Sequence, residues 1–160
     1  NMGPVINEGS KNKIMDYINT AVKEGGTIIH GGKELEGGYF IEPTIIKDVK
    51  PMDTIAQEEI FGPVLAVIKS SNFDESLKIA NNTMFGLTGA AYSSNKKNLQ
   101  KADNEFFVGN LYLNRKCTGA LVGVHPFGGF NMSGTDSKAG GRDYLSLFTQ
   151  AKLTSKKIIK

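Results

Sequence analysis

Between residues 64 and 114 three short apolar runs alternate with two segments of helical periodicity, and this alternation constrains the fold more than any other feature of the chain. "VLAVIKS" at 64–70 is a near-continuous apolar run of strand length. "DESLKIANNT" follows it and opens with acids suited to the positive end of a helix dipole. "GLTGAAYSS" reads as a strand with little side-chain bulk. In "NKKNLQKADNEF" Leu99, Ala102 and Phe106 then recur at helical spacing behind the cap candidate Asn95. "NLYLN" at 110–114 closes the pattern. Strand, helix, strand, helix, strand at these separations predicts crossover units, a parallel sheet and an α/β fold.

Upstream, "SKNKIMDYINTAVKEGG" puts Ile14, Ile18, Ala21 and Val22 on one stripe. The spacing predicts a helix of about four turns, with Ser10 as its N-cap and Gly25-Gly26 as its stop. "TIIHGG" and "YFIEPTIIKDV" are β-branched and aromatic runs bounded by glycine, and they predict strands, the second interrupted by Pro43. His30 ends the first of these. Without a second ligand at metal spacing it reads as a packed or solvated side chain, and no metal site is expected.

Composition narrows the class. At 39% hydrophobic and 22% charged residues the chain matches a globular domain, and 160 residues are enough to bury roughly 70% of the unfolded surface. The net charge of +3 is carried by lysines scattered among acids, with Arg115 and Arg142 the only arginines. Nucleic-acid binding, which clusters cations on one face, is therefore not expected. No apolar run approaches the roughly 18 to 20 residues of a membrane span. One cysteine allows no internal disulfide and fits a reducing compartment, so a cytoplasmic protein is expected. The triplets at Asn81 and Asn131 would be glycosylation acceptors only in a secreted protein.

The loop "RKCTGALVGVHPFGGFNMSG" at 115–134 follows the last predicted strand, where an open α/β sheet binds its ligands. Its glycines allow backbone N–H groups to converge on an anion. It has neither the P-loop nor the dinucleotide-fingerprint spacing, so on chemistry alone it is either an anion loop or a compact turn. Arg115 and Lys116 favour a reactive thiolate at Cys117. No base but His125 is near in sequence, however, and an isolated cysteine is more often a small buried hydrophobe.

"EEIFGPVLAVIKSSNFDESLKIANNTMFGLTGAAYSSN", "GNLYLNR" and "HPFGGFNMSG" together resemble the C-terminal part of the NAD(P)-dependent aldehyde dehydrogenases. "NRKCTGALVGVHPFGGFNMSGTDSKAGGRDYL" is closer still to the 1-pyrroline-5-carboxylate (glutamate γ-semialdehyde) dehydrogenase branch, and the resemblance runs from "MGPVI" to the tail. It implies that Glu59 accepts hydrogen bonds from the nicotinamide ribose and that Phe61 lies beside the nicotinamide. It further implies that the amides of Gly119 and Ala120 hold the substrate carboxylate while Phe127 packs on its aliphatic part. Lys116 stands where this branch is expected to have glycine, a departure that either disturbs the anchor or adds a second contact to the carboxylate.

The same resemblance implies that the family's nucleophilic Cys, general-base Glu, oxyanion Asn and nucleotide-binding domain lie upstream of these motifs, so Cys117 is a different cysteine. In the intact enzyme a thiolate attacks the aldehyde, hydride passes to NAD, and activated water releases glutamate. Residues 1–149 are expected to be the C-terminal half of the catalytic domain, a mostly parallel sheet with flanking helices, and 150–160 an oligomerisation strand. Alone, these residues are expected to be a fragment without useful turnover, to bind no cofactor tightly and to self-associate. The alternatives are a non-catalytic nucleotide-binding, carboxylate-binding or oligomerisation module, or another aldehyde dehydrogenase branch.

Overall fold

A computed structural model describes residues 2–117, 121, 123–134 and 138–159. They form two compact units, 1–83 and 84–160.

In the first unit, α1 (Glu8–Lys23) is the predicted helix. Its cap is Asn7 rather than Ser10: the Asn7 side chain accepts from the Ser10 N–H at 2.8 Å. Asn7 is extended and Ser10 is already helical, so Ser10 serves as the donor of the capping bond. At the other end Gly25 takes φ +105. The Gly25 and Gly26 N–H groups then donate to the carbonyls of Val22 and Ala21, the paired bonds of a left-handed glycine stop. Ile14, Ile18 and Ala21 are buried as the spacing predicted, whereas Val22, at the edge of the stripe, is exposed.

That stripe packs on a three-stranded sheet of β1 (Thr27–His30), β4 (Thr44–Lys47) and β5 (Val64–Ala66), in the order β1-β4-β5. Ile46 of the central strand is wholly buried, and Ile41, Val49 and Ile55 complete the core around it. The β4–β5 pair is parallel and the β1–β4 pair antiparallel. Pro43, which lacks an N–H, separates the short β3 (Phe40–Ile41) from β4, and β3 pairs instead with β2 (Glu34–Leu35). Thr44 is the buried polar residue of the core. Its hydroxyl donates to the Glu42 carbonyl and accepts from the Gly32 N–H, so its burial leaves nothing unpaired. His30 is an exposed strand-end side chain.

After the one-turn helix α2 (Thr54–Gln57) and β5 comes α3 (Phe73–Asn81). The Asn72 side chain caps α3 by accepting from the Glu75 N–H at 2.9 Å. The Glu75 carboxylate reaches back to accept from the Ser71 hydroxyl and N–H, a reciprocal arrangement of the capping-box kind.

The second unit holds β6 (Thr88–Ala91), α4 (Lys96–Glu105) and β7 (Asn110–Leu113). β6 and β7 pair in parallel from Thr88↔Asn110 to Ala91↔Leu113, with α4 as the crossover. Asn95 caps α4 through a bond from the Lys97 N–H. The fold is thus the expected α/β type, but its pairings are mixed, since β1 and β2 close antiparallel on their partners. Residues 149–159 pair with no strand in this single chain; strand geometry requires a neighbouring ladder, and the tail has none among the described residues.

The hydrogen bonds from Ser71, hydroxyl first and amide second, hold the Glu75 carboxyl below its usual range. A carboxyl whose folded value is depressed stabilises the fold above its unfolded value and ceases to do so as pH falls through the folded one. Acidification from neutrality to below the ordinary carboxylate range should therefore loosen the first turn of α3. Following the Glu75 carboxyl carbon and the Ser71 amide together by NMR should give one common midpoint, below the ordinary glutamate range.

Candidate functional site

The motif "EEIFGP" forms the connection from α2 to β5. Glu58 is the C-cap of α2 and extended, its N–H donating to the Thr54 carbonyl. Its carboxylate is engaged from α1, the Tyr17 hydroxyl donating to Oε2 at 2.6 Å. This bond to a carboxylate, with desolvation second, raises the Tyr17 phenol above its usual range. Lys13, one turn earlier on α1, stands 5.4 Å over the Tyr17 ring. Glu59, the predicted cofactor acid, is exposed.

Phe61 takes φ +57, a left-handed conformation rare for a bulky side chain, and the residue is 80% exposed. Glu59 and Phe61 share the wall of a cleft of about 310 Å³ with Ile55, Ile60 and Val64. On its other side Phe61 lines an apolar cleft of about 660 Å³ with Met2, Pro4, Val5, Ile6 and Pro63. The first unit therefore presents, side by side, an acceptor-only carboxylate and an open aromatic face.

In the second unit residues 126–133 of the glycine-rich loop are folded back onto the strand ends. Phe127 and Ala139 exchange both backbone bonds, at 2.9 and 3.0 Å. The Asn110 side chain, at the start of β7, donates to the Pro126 carbonyl at 3.0 Å, and the Lys138 ammonium donates to the Gly109 carbonyl. The turn before β6 is stitched to the same loop, since the Phe130 N–H donates to the Gly86 carbonyl and the Gly86 N–H to Ser133 Oγ.

Gly109 shows why glycine is required in this assembly. A Cβ there would lie 1.6 Å from the Gly128 carbonyl oxygen, so two backbones occupy the space a side chain would need. Beside them lies a cleft of about 440 Å³ lined by Asn110, Tyr112, Arg115, His125, Pro126 and Lys138, with the Arg115 guanidinium 5.0 Å over the Tyr112 ring.

Of the predicted residues, Glu59 and Phe61 lie together in the first unit. Phe127 is half-buried in the second. Gly119 and Ala120, the anchor amides, lie outside the described residues. Cys117 is exposed and carries a free thiol, so it is not the buried hydrophobe that an isolated cysteine usually is. Among the described residues no His, Cys, Asp or Glu cluster could hold a metal, and no helix is long and apolar enough to cross a membrane. Sequence reading missed the Tyr17–Glu58 bond and the Lys138–Gly109 and Asn110–Pro126 bonds. All join residues 16 or more apart, beyond the reach of periodicity.

Comparison with known proteins places this architecture. The model of the aldehyde dehydrogenase family matches residues 1–154. The chain is 58% identical over 154 residues to 1-pyrroline-5-carboxylate dehydrogenase 2 of Bacillus subtilis (strain 168), covering 96% of this chain and 30% of that protein. It is 61% identical over 155 residues to the 1-pyrroline-5-carboxylate dehydrogenase of Bacillus licheniformis, with the same coverage. Among solved structures, 1-pyrroline-5-carboxylate dehydrogenase from Thermus with bound NAD superposes with a TM-score of 0.88 at 55% identity, over 91% of this chain and 28% of that one. Indole-3-acetaldehyde dehydrogenase in complex with NAD+ superposes at 0.82 and 33% identity, over 88% of this chain and 28% of that one.

The contact at Gly109 leads to an expected outcome. Gly109→Ala should destabilise the second unit by about 3 kcal/mol, read as a lower denaturation midpoint. Limited proteolysis should then cut faster within residues 123–134 than in α1.

Proposed function

Because the chain belongs to the aldehyde dehydrogenase family, we propose that it forms the cofactor-orienting and substrate-anchoring portion of an NAD-dependent 1-pyrroline-5-carboxylate dehydrogenase. Such an enzyme oxidises glutamate γ-semialdehyde to glutamate in proline breakdown. The observation that carries this reading is the 58% and 61% identity to dehydrogenases of that name along 96% of the chain. The chain spans 30% of the length of those relatives.

The residues present fit the cofactor. Glu59, exposed and acceptor-only, suits two ribose hydroxyls, and the open face of Phe61 suits a flat nicotinamide. NAD, when bound, supplies the hydride acceptor. In this reading Glu59 orients the ribose, and Phe61 limits the tilt of the ring. The amides of Gly119 and Ala120 take the substrate carboxylate, with Phe127 against its methylenes. Holding both partners in one reactive geometry is the larger part of what a positioning half contributes to rate.

The nucleophile and base of the reaction come, in this reading, from residues other than these 160, and Cys117 takes no part in bond making. Residues 1–149 act as part of the catalytic domain and 150–160 as an assembly strand. Leu153, Ile158 and Ile159 are 92%, 85% and 87% exposed, and a segment of partial apolar–polar alternation with such side chains in the open favours pairing with a second copy.

Two measurements test the reading. Supplied with NAD+ and pyrroline-5-carboxylate, the 160-residue chain and its Cys117→Ala variant should both form no NADH above background. Turnover that disappears in the variant would make Cys117 the nucleophile and overturn the assignment of its loop. In sedimentation the chain should run as a dimer or larger at micromolar concentration, and removal of residues 150–160 should shift it toward monomer.

A further inference from the structure

We infer that Tyr17, acting through Glu58, is a positioning residue for the cofactor-facing pair Glu59 and Phe61. The inference rests on the reading of that pair given above and adds to it the device that holds the pair in place.

The connection 58–62 is fastened at both ends to one face of α1. At its start the Tyr17 hydroxyl holds Glu58 at 2.6 Å, across 41 residues of sequence. At its end Gly62 rests on Ile14, one turn earlier on the same helix. A Cβ at Gly62 would lie 2.7 Å from the Ile14 Cδ1 and 2.8 Å from its Cγ1. Ile14 is a buried member of the core, so this second fastening is part of the packed interior. Between the two, Ile60 packs against the core cluster.

Residues 58, 60 and 62 thus contact the body of the unit. Glu58 is extended and Phe61 left-handed, and Glu59 and Phe61 lie exposed between these contacts. Their placement follows from the contacts of Glu58, Ile60 and Gly62.

The bond to Tyr17 also distinguishes two adjacent acids that line the same cleft. One carboxylate oxygen of Glu58 is taken by the phenol, whose ring is flanked by Lys13 at 5.4 Å, which ties that acid to α1 and lowers its capacity to accept from a ribose relative to Glu59. Loss of the phenol would free the Glu58 side chain, leaving the start of the connection held to α2 only by the backbone bond from the Glu58 N–H to the Thr54 carbonyl. Phe61, held at φ +57 against its own preference, would then relax toward ordinary backbone angles.

The test uses the 160-residue chain and nicotinamide mononucleotide, which carries both the ribose hydroxyls and the nicotinamide. Amide order parameters at Glu59 and Phe61 should be about 0.8 in the parent and about 0.6 in Tyr17→Phe, with Ile46 unchanged. Chemical-shift perturbation by the mononucleotide should centre on Glu59 and Phe61 and weaken about fivefold in affinity in Tyr17→Phe. Glu58→Gln in the parent, whose amide oxygen still accepts from the phenol, should leave both readouts near the parent values. A structural role alone would lower the melting temperature in Tyr17→Phe without moving the order parameters at Glu59 and Phe61.

Unchanged order at Glu59 and Phe61 in Tyr17→Phe would overturn the inference. A loop that loosens as expected in a protein showing no mononucleotide shifts at all would instead overturn the cofactor reading of Glu59 and Phe61, and the role of Tyr17 with it. The two failures are therefore distinguishable.

Discussion

The contact on which the first unit depends is the seam between the apolar stripe of α1 and the central strand β4. Ile14 and Ile18 meet Ile46 there, all three almost completely removed from water. Each such side chain is worth roughly 2 kcal/mol of transfer free energy, and truncating one costs about 2 to 5 kcal/mol because its neighbours cannot close the cavity. The seam fixes the helix on the sheet, and the helix in turn carries the two fastenings of the 58–62 connection. Packing far from any ligand thereby sets where a carboxylate and an aromatic ring face outward.

The second unit reaches a similar end by other means. It has few large buried side chains, its buried residues being small ones such as Ala91 and Ala102 together with Tyr112. Its glycine-rich loop is held by backbone hydrogen bonds and by close approach of main chains, as at Gly109 and Gly128. Such an assembly presents amides and carbonyls in fixed directions with little side-chain bulk, which suits recognition of a small polar ligand.

Local signals in the sequence were sufficient for the elements. The stripe of Ile14, Ile18 and Ala21, the caps at Asn95 and Gly25, and the break at Pro43 were all readable because each depends on residues within a few positions of one another. The Asn7 cap was missed because Ser10 is an equally good capping residue three positions on, and only backbone geometry tells them apart. The two-residue strands β2 and β3 were beyond periodicity, since two residues have no period. The mixed strand pairing escaped because "TIIH" carries no mark of direction. For the candidate site, Glu59, Phe61 and Phe127 are proposed from resemblance alone; by composition Glu59 is one acid among 16 acidic residues. Tyr17 was not legible at all, because its partner is 41 residues away.

The left-handed backbone at Phe61 bears on how this segment could be altered in the laboratory. A bulky residue held there carries roughly 1 to 3 kcal/mol of conformational energy that glycine or asparagine would not. A thermostability screen blind to ligand binding would accordingly enrich small residues at position 61 and erase the aromatic face. The position offers a rare case in which the direction of drift discloses whether selection acted on folding or on use.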